Sequence, residues 1–179
     1  MTQPSARPRP QSQAGRPLDD SPIAQHIAIE QLLFRYAHAI DRPLAEPDAL
    51  ERRISEVFHP NAVVEYVGRD YDGPTRFAGA GPDGWLRYFT NWRDMHMRKC
   101  QFMRHATSTP VIEIDGDEAT STSYLTGGAY PLAADNSMYI SHGLYHDRLV
   151  KEGGRWWIKE RRIHILFVLR APPEQYRNP

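Results

Sequence analysis

Asp41 and His105 are the two side chains whose types and settings point to acid–base chemistry. Asp41 closes an amphipathic stretch, Ile23 to Asp41, and His105 lies in Gln101–Thr109, which alternates like a strand. A carboxylate at a helix end can orient an imidazole on a strand. It fixes the ring's tautomer and stabilises the imidazolium formed when the ring takes a proton from a carbon acid. Tyr36 and Tyr66 are candidate partners, since either hydroxyl could donate to a developing enolate oxygen. Tyr36 precedes Asp41 by five residues. On a helix this displaces it by ~140°, so a pocket receives both only if Asp41 lies beyond regular helix. Simpler roles stand beside these: Asp41 as a loop cap, His105 as a satisfied core histidine, the tyrosines as core residues with tethered hydroxyls.

Other chemistry-bearing residues are less pointed. His142, His146 and His164 suggest a metal at first sight, but residues four apart on a strand stand ~13 Å apart, too far to share one ion. No metal is expected. Trp85, Phe89, Trp92 and Met103 are candidate core residues, and those that also wall a pocket would favour an apolar, cyclic ligand. Asp147, Lys159, Glu160, Arg161 and Arg162 read as a solvated ion-pair ladder, with Arg161 the candidate among them for ligand recognition.

The elements that must position these groups follow from pattern. Residues 1–21, rich in Pro, Gln, Ser and Arg, read as a flexible tail. Asp19, Asp20 or Ser21 can cap a helix with Pro22 in its first turn, and Pro43 and Pro47 end it near Asp41. Asp48 can cap a second helix with Leu50, Ile54, Val57 and Phe58 as its stripe. His59-Pro60-Asn61 is expected to break the chain before a short strand, Ala62–Val67. Gly68–Gly81 reads as loop with a short edge pairing, and Pro82–Lys99 as a third helix. Then come long strands, Phe102–Asp115, Glu118–Tyr130, Ser137–Lys151 and Arg155–Leu169. Asp115-Gly116-Asp117 and Glu152-Gly153-Gly154 are the hairpin turns, and Pro131–Asn136 is a loop. Helices followed by hairpin strands make an α+β order, with one domain over 22–170 and a C-terminal tail over 171–179. On the third long strand, alternation puts Tyr139, Ser141, Gly143, Tyr145 and Asp147 on one face, and Ile140, His142, Leu144 and His146 on the other.

The 179 residues carry 22 basic and 22 acidic side chains, so no nucleic-acid or anionic-membrane footprint is expected. A single cysteine, Cys100, excludes an internal disulfide. No apolar run spans a bilayer and no secretory h-region opens the chain, which makes a cytoplasmic protein the expectation.

Five segments in order carry a resemblance: Ile29–Asp41, Val57–Ala62, His105 with Thr107, Ile114–Ala119 and Gly154–Ile158. Together they resemble the SnoaL-like branch of the nuclear-transport-factor-type cone fold, over roughly Ile23 to Leu169. That branch includes scytalone dehydratase, bile acid 7α-dehydratase, lindane dehydrochlorinase and polyketide cyclases. The resemblance implies a curved antiparallel sheet wrapped around the helices and enclosing an apolar pocket. Asp41 and His105 match its catalytic pair, Tyr36 a catalytic tyrosine, and Tyr66 a carbonyl-binding tyrosine. The Gly143–Tyr145 face would line the pocket, and Arg161 falls near an arginine on the last strand. There are departures. Ile40 replaces a second tyrosine, Ala129 falls near a pocket histidine, and Gly127–Ala129 leave no acid on the second long strand. The implied activity is a cofactor-free lyase or isomerase, dehydratase foremost, on a hydrophobic cyclic molecule, assembled as a homodimer or homotrimer through the sheet. A polyketide-type cyclase, a non-catalytic ligand-binding cone and an oxygenase small subunit remain open.

Overall fold

In a computed structural model, residues 21–41, 49–68, 75–80, 84–95, 102–130 and 138–171 are described. The expected tails before Ser21 and after Ala171, the Asp48 cap and the 131–136 loop lie outside them. Helix α1 (Pro22–Asp41) starts where Ser21 Oγ accepts the Ala24 amide at 3.3 Å, with Pro22 in the first turn. Its Ile29, Leu32, Leu33, Tyr36 and Ile40 are buried. Helix α2 (Leu50–Ser55) is one residue short of two turns, and Val57 and Phe58 continue its buried stripe without being helical. Helix α3 (Trp85–Met95) occupies the middle of the expected Pro82–Lys99 helix.

One six-stranded sheet holds β1 (Phe58–Val67), β2 (Thr75–Ala78), β3 (Phe102–Asp115), β4 (Glu118–Tyr130), β5 (Met138–Glu152) and β6 (Arg155–Ala171). The order is β2-β1-β6-β5-β4-β3, antiparallel throughout except where β1 runs parallel to β6. The α+β expectation therefore holds, with N-terminal helices packed on a mostly antiparallel sheet. One expectation fails at His59-Pro60-Asn61. These residues do not break the chain but lie inside β1, as a register irregularity between Phe58 and Val63. Pro60 is tolerated because a proline without an amide can sit where the ladder is already interrupted.

Three bulges shape the long strands. In β3 the irregularity falls between Ser108 and Val111, where Thr109 takes φ 50°. In β6, one extra residue at Lys159 and another at Leu166 offset it from β5. Each bulge bends its strand and reverses the in–out parity beyond it. At the Leu166 bulge the backbones close up: a Cβ on Gly143 would stand 2.1 Å from the His164 carbonyl oxygen. Only glycine fits there, so Gly143→Ala should cost about 2–3 kcal/mol of stability, read as a lower urea midpoint. A midpoint equal to wild type would show that the bulge can open.

Candidate active site

Strand β3 is a sheet edge, so alternate amides along it have no neighbouring strand to bond. The His105 amide is one that finds a partner, because α1 lies against β3 and ends there in Asp41. Both Asp41 oxygens accept that amide, at 3.0 and 2.8 Å. Asp41 Oδ1 also meets His105 Nδ1 at 2.7 Å. A carboxylate at a helix C-terminus has the wrong sign for the helix dipole; the charge-assisted bonds to one residue offset this. With Asp41 ionised, Nδ1 carries the proton and Nε2 is the unprotonated ring nitrogen.

His105 lines a cavity, whereas Asp41 stands behind the ring. Asp41 is the last residue of regular helix, so the ~140° offset from Tyr36 holds: Tyr36 faces the cavity and Asp41 reaches round to β3. Tyr66, Phe89, Met103 and Tyr145 line the same cavity. Its remaining walls include Tyr88, Tyr139 and Ile163, so several hydroxyls stand on apolar surroundings. The space open to the centre of a water-sized molecule is about 70 Å³. That is room for roughly five waters, and about half of the ~150 Å³ of a cavity that takes a benzene ring.

Two predicted contacts lie elsewhere. Trp85 is buried in the core against Phe58, 5.4 Å between ring centres, and does not line the cavity. The Trp92 side chain lies outside the described set. Arg161 is corrected twice. It is not part of a solvated ladder, and it does not border the cavity. The Lys159 bulge reverses the parity of β6 and turns Arg161 inward, where it is 1% exposed. There it forms a two-pronged pair with Asp147, Nε to Oδ1 and Nη2 to Oδ2, both 2.6 Å. The exposed ladder consists instead of Arg148 with Glu118 and Glu160, and Arg162 with Glu65. The Arg161 guanidinium carbon lies 3.9 Å from the Tyr36 ring centre and 4.3 Å from that of Tyr145. The cation is thus sealed behind the two tyrosines that face the cavity.

Burial pushes the Tyr36 hydroxyl above the ordinary tyrosine range, the Arg161 charge opposing it. Burial, then the neighbouring Tyr36, pushes Tyr145 well above. Both therefore stay protonated donors at neutral pH. Burial works against the Arg161 charge, but Asp147 outweighs it and the guanidinium stays charged.

Ser141 is a site residue that the alternation placed on the inner face without assigning it a role. It is 6% exposed and lines the cavity. The signal for it was the neighbouring glycine. A Cβ on Gly127 would stand 2.8 Å from Ser141 Oγ, and 3.3 and 3.4 Å from His105 Cδ2 and Nε2. The missing side chain at Gly127 leaves clearance beside the imidazole. The outer-face histidines are bound locally: His142 to Thr126 and His146 to Thr122. Among the described residues no group of His, Cys, Asp and Glu could hold a metal, and no helix is long and apolar enough to cross a membrane.

With helices packed on a bent six-stranded, mostly antiparallel sheet, the molecule has an NTF2/cystatin-like fold. The chain belongs to the SnoaL-like domain family, whose model matches residues 22–162. Three solved structures show the same fold. One, from Novosphingobium aromaticivorans, is described as an aromatic ring hydroxylase (19% identity, 85% of this chain and 96% of that one, TM-score 0.65). A second, from the same organism, is described as a scytalone dehydratase (20% identity, 82% and 87%, TM-score 0.63). The third is the hexachlorocyclohexane dehydrochlorinase LinA-type3 from Novosphingobium barchaimii (15% identity, 88% and 97%, TM-score 0.66). At these identities the likeness shows the fold. A search of curated proteins finds no match to this sequence.

Asp147→Ala leaves a buried guanidinium unpaired and should cost about 3–5 kcal/mol. The double change Asp147→Leu with Arg161→Met removes both charges and should recover most of that loss, measured by urea unfolding. A double variant no more stable than Asp147→Ala would mean that the pair is not what holds this part of the core.

Proposed function

We propose that this protein is a cofactor-independent lyase or isomerase in which His105 takes a proton from the carbon beside a carbonyl of a small cyclic ligand. The observation that carries this reading is the double hold of Asp41 on His105, whose ring lines an apolar cavity. Asp41 fixes the ring through Nδ1 and balances the positive charge that the ring acquires. The new enolate oxygen needs a donor in a low-dielectric site, where such a bond is worth most. Tyr36 is the better placed of the two tyrosines, because it is buried, protonated and backed by the Arg161 cation. Tyr66 is half-buried and packs on Tyr88, which suits it to gripping the ligand's outer edge.

The fate of the enolate sets the reaction. If the carbon β to the carbonyl carries a hydroxyl, that hydroxyl leaves as water and the enzyme is a dehydratase. If the proton returns to another carbon, it is an isomerase. Dehydration is the favoured outcome, in keeping with the fold's likeness to a structure described as a scytalone dehydratase. An open cavity beside Tyr145 supports an enzyme over a non-catalytic cone, whose interior its own aromatic side chains would fill. Assembly through the outer sheet face belongs to the same reading, since Tyr124, Phe167 and Leu169 are 59, 47 and 54% exposed. Sedimentation should then give a homodimer or homotrimer, and a monomer at all concentrations would remove that part.

Proton abstraction can be tested without knowing the natural substrate. Cyclohexanone in D2O, followed by proton NMR, should lose its α-hydrogens faster with the protein than with buffer alone. His105→Ala should reduce that rate at least about 100-fold. Wild-type exchange at the buffer rate, or equal rates in the two proteins, would end the base assignment.

A further inference from the structure

We infer that the crevice between α1 and α2, on a side of α1 turned away from the cavity, binds a small dianion with a tetrahedral phosphate group, gripped by Arg35 and Arg155. The inference is independent of the role proposed for His105. Arg35, His38 and Ala39 of α1 line this crevice with Arg53, Glu56 and Val57, and it measures about 180 Å³. At ~100° per residue the three α1 positions lie within ~60° of one another. They are displaced by about 120° round the helix from Tyr36 and Ile40, which line the cavity. One helix thus serves two separate surfaces. The crevice has room for roughly a dozen waters, so a phosphate with a small organic group fits.

Arg155, at the start of β6, adjoins the crevice through Glu56. Its Nη2 donates to the Glu56 carbonyl oxygen, just after the last turn of α2. Its guanidinium carbon lies 3.6 Å from the centre of the Trp157 ring. The head group is therefore held in one place before any ligand arrives. Among the described residues no carboxylate forms an ion pair with Arg35 or Arg155. The two cations stand near one another: burial, and then the Arg35 charge, push Arg155 below the ordinary arginine range, with Glu56 opposing. Around the crevice Arg35, Arg53, Arg155 and His38 meet one carboxylate, that of Glu56. This local excess stands out in a chain whose 22 basic and 22 acidic side chains balance. Like charges gathered without a counter-charge repel, and an oxyanion between them relieves the repulsion. Each guanidinium offers a fork of donors that matches phosphate oxygens in pairs. Here the forks come from α1, α2 and β6. Three directions of approach suit the oxygens of a tetrahedral group better than the two of a planar carboxylate.

The test titrates inorganic phosphate into the nitrogen-15-labelled full chain, with sodium chloride varied to hold the ionic strength constant. Amide signals of residues 35–39, 53–57 and 155 should shift and saturate. Arg35→Ala should weaken phosphate binding about tenfold or more, the worth of one charge-assisted bond. Arg35 is exposed, so without phosphate its removal should leave the urea midpoint at or above that of wild type, because Arg155 loses a repelling neighbour. Acetate should bind at least about tenfold more weakly than phosphate. Glycerol 3-phosphate separates the two sources of the group: binding tighter than inorganic phosphate assigns a phosphomonoester, and equal binding assigns free phosphate. Shifts that never saturate, an unchanged affinity in Arg35→Ala, acetate binding as tightly as phosphate, or a lower urea midpoint for Arg35→Ala would each overturn the assignment. The last of these would make Arg35 a residue that serves the fold. None of the readouts involves the cavity, so α-hydrogen exchange can fail while phosphate binding succeeds, or the reverse.

Discussion

The bond from the Asp41 carboxylate to the edge of the sheet organises everything else at this site. β3 ends the sheet, and an edge amide needs a partner that no further strand supplies. α1 supplies it with its last side chain, and the same oxygen that accepts the His105 amide also holds Nδ1. Helix, strand and imidazole are thereby fixed together by one residue. The direction of Nε2 is then determined by backbone geometry, which is the precision that proton transfer requires.

Around this hold the core separates two kinds of polar group. The Asp147–Arg161 pair does not border the cavity and lies behind the rings of Tyr36 and Tyr145 that do. Such a pair gains little net stability over apolar residues of the same size. Its consequence here is electrostatic: a permanent cation behind Tyr36 favours negative charge developing near the Tyr36 hydroxyl. His105, Ser141 and the tyrosines are the groups that face the cavity.

Most of this was legible in the residues, because the long strands have clear turns and clean alternation. β3 and β4 begin and end where the pattern put them, and the inner face of β5 carries the expected set from Ser141 to Asp147. The Asp41–His105 contact was legible as a helix end meeting a strand. What alternation could not show were the bulges. One extra residue at Lys159 turns Arg161 from surface to core, and nothing local in Lys159-Glu160-Arg161 marks it. His59-Pro60-Asn61 reads as a break by propensity, yet pairing of its flanks with β6 carries the strand through. Ser141 escaped notice for a related reason. Its meaning depends on Gly127, a position that by itself reads as an empty one, and the two are joined only by cross-strand register.

The most direct test of the central claim is the tautomer of His105, read from the nitrogen-15 shifts of its ring in the ligand-free protein near neutral pH. The account predicts that the neutral form of the ring carries its proton on Nδ1, shared with Asp41. A ring protonated on Nε2 alone would present a donor to the cavity instead of a base, and would contradict it.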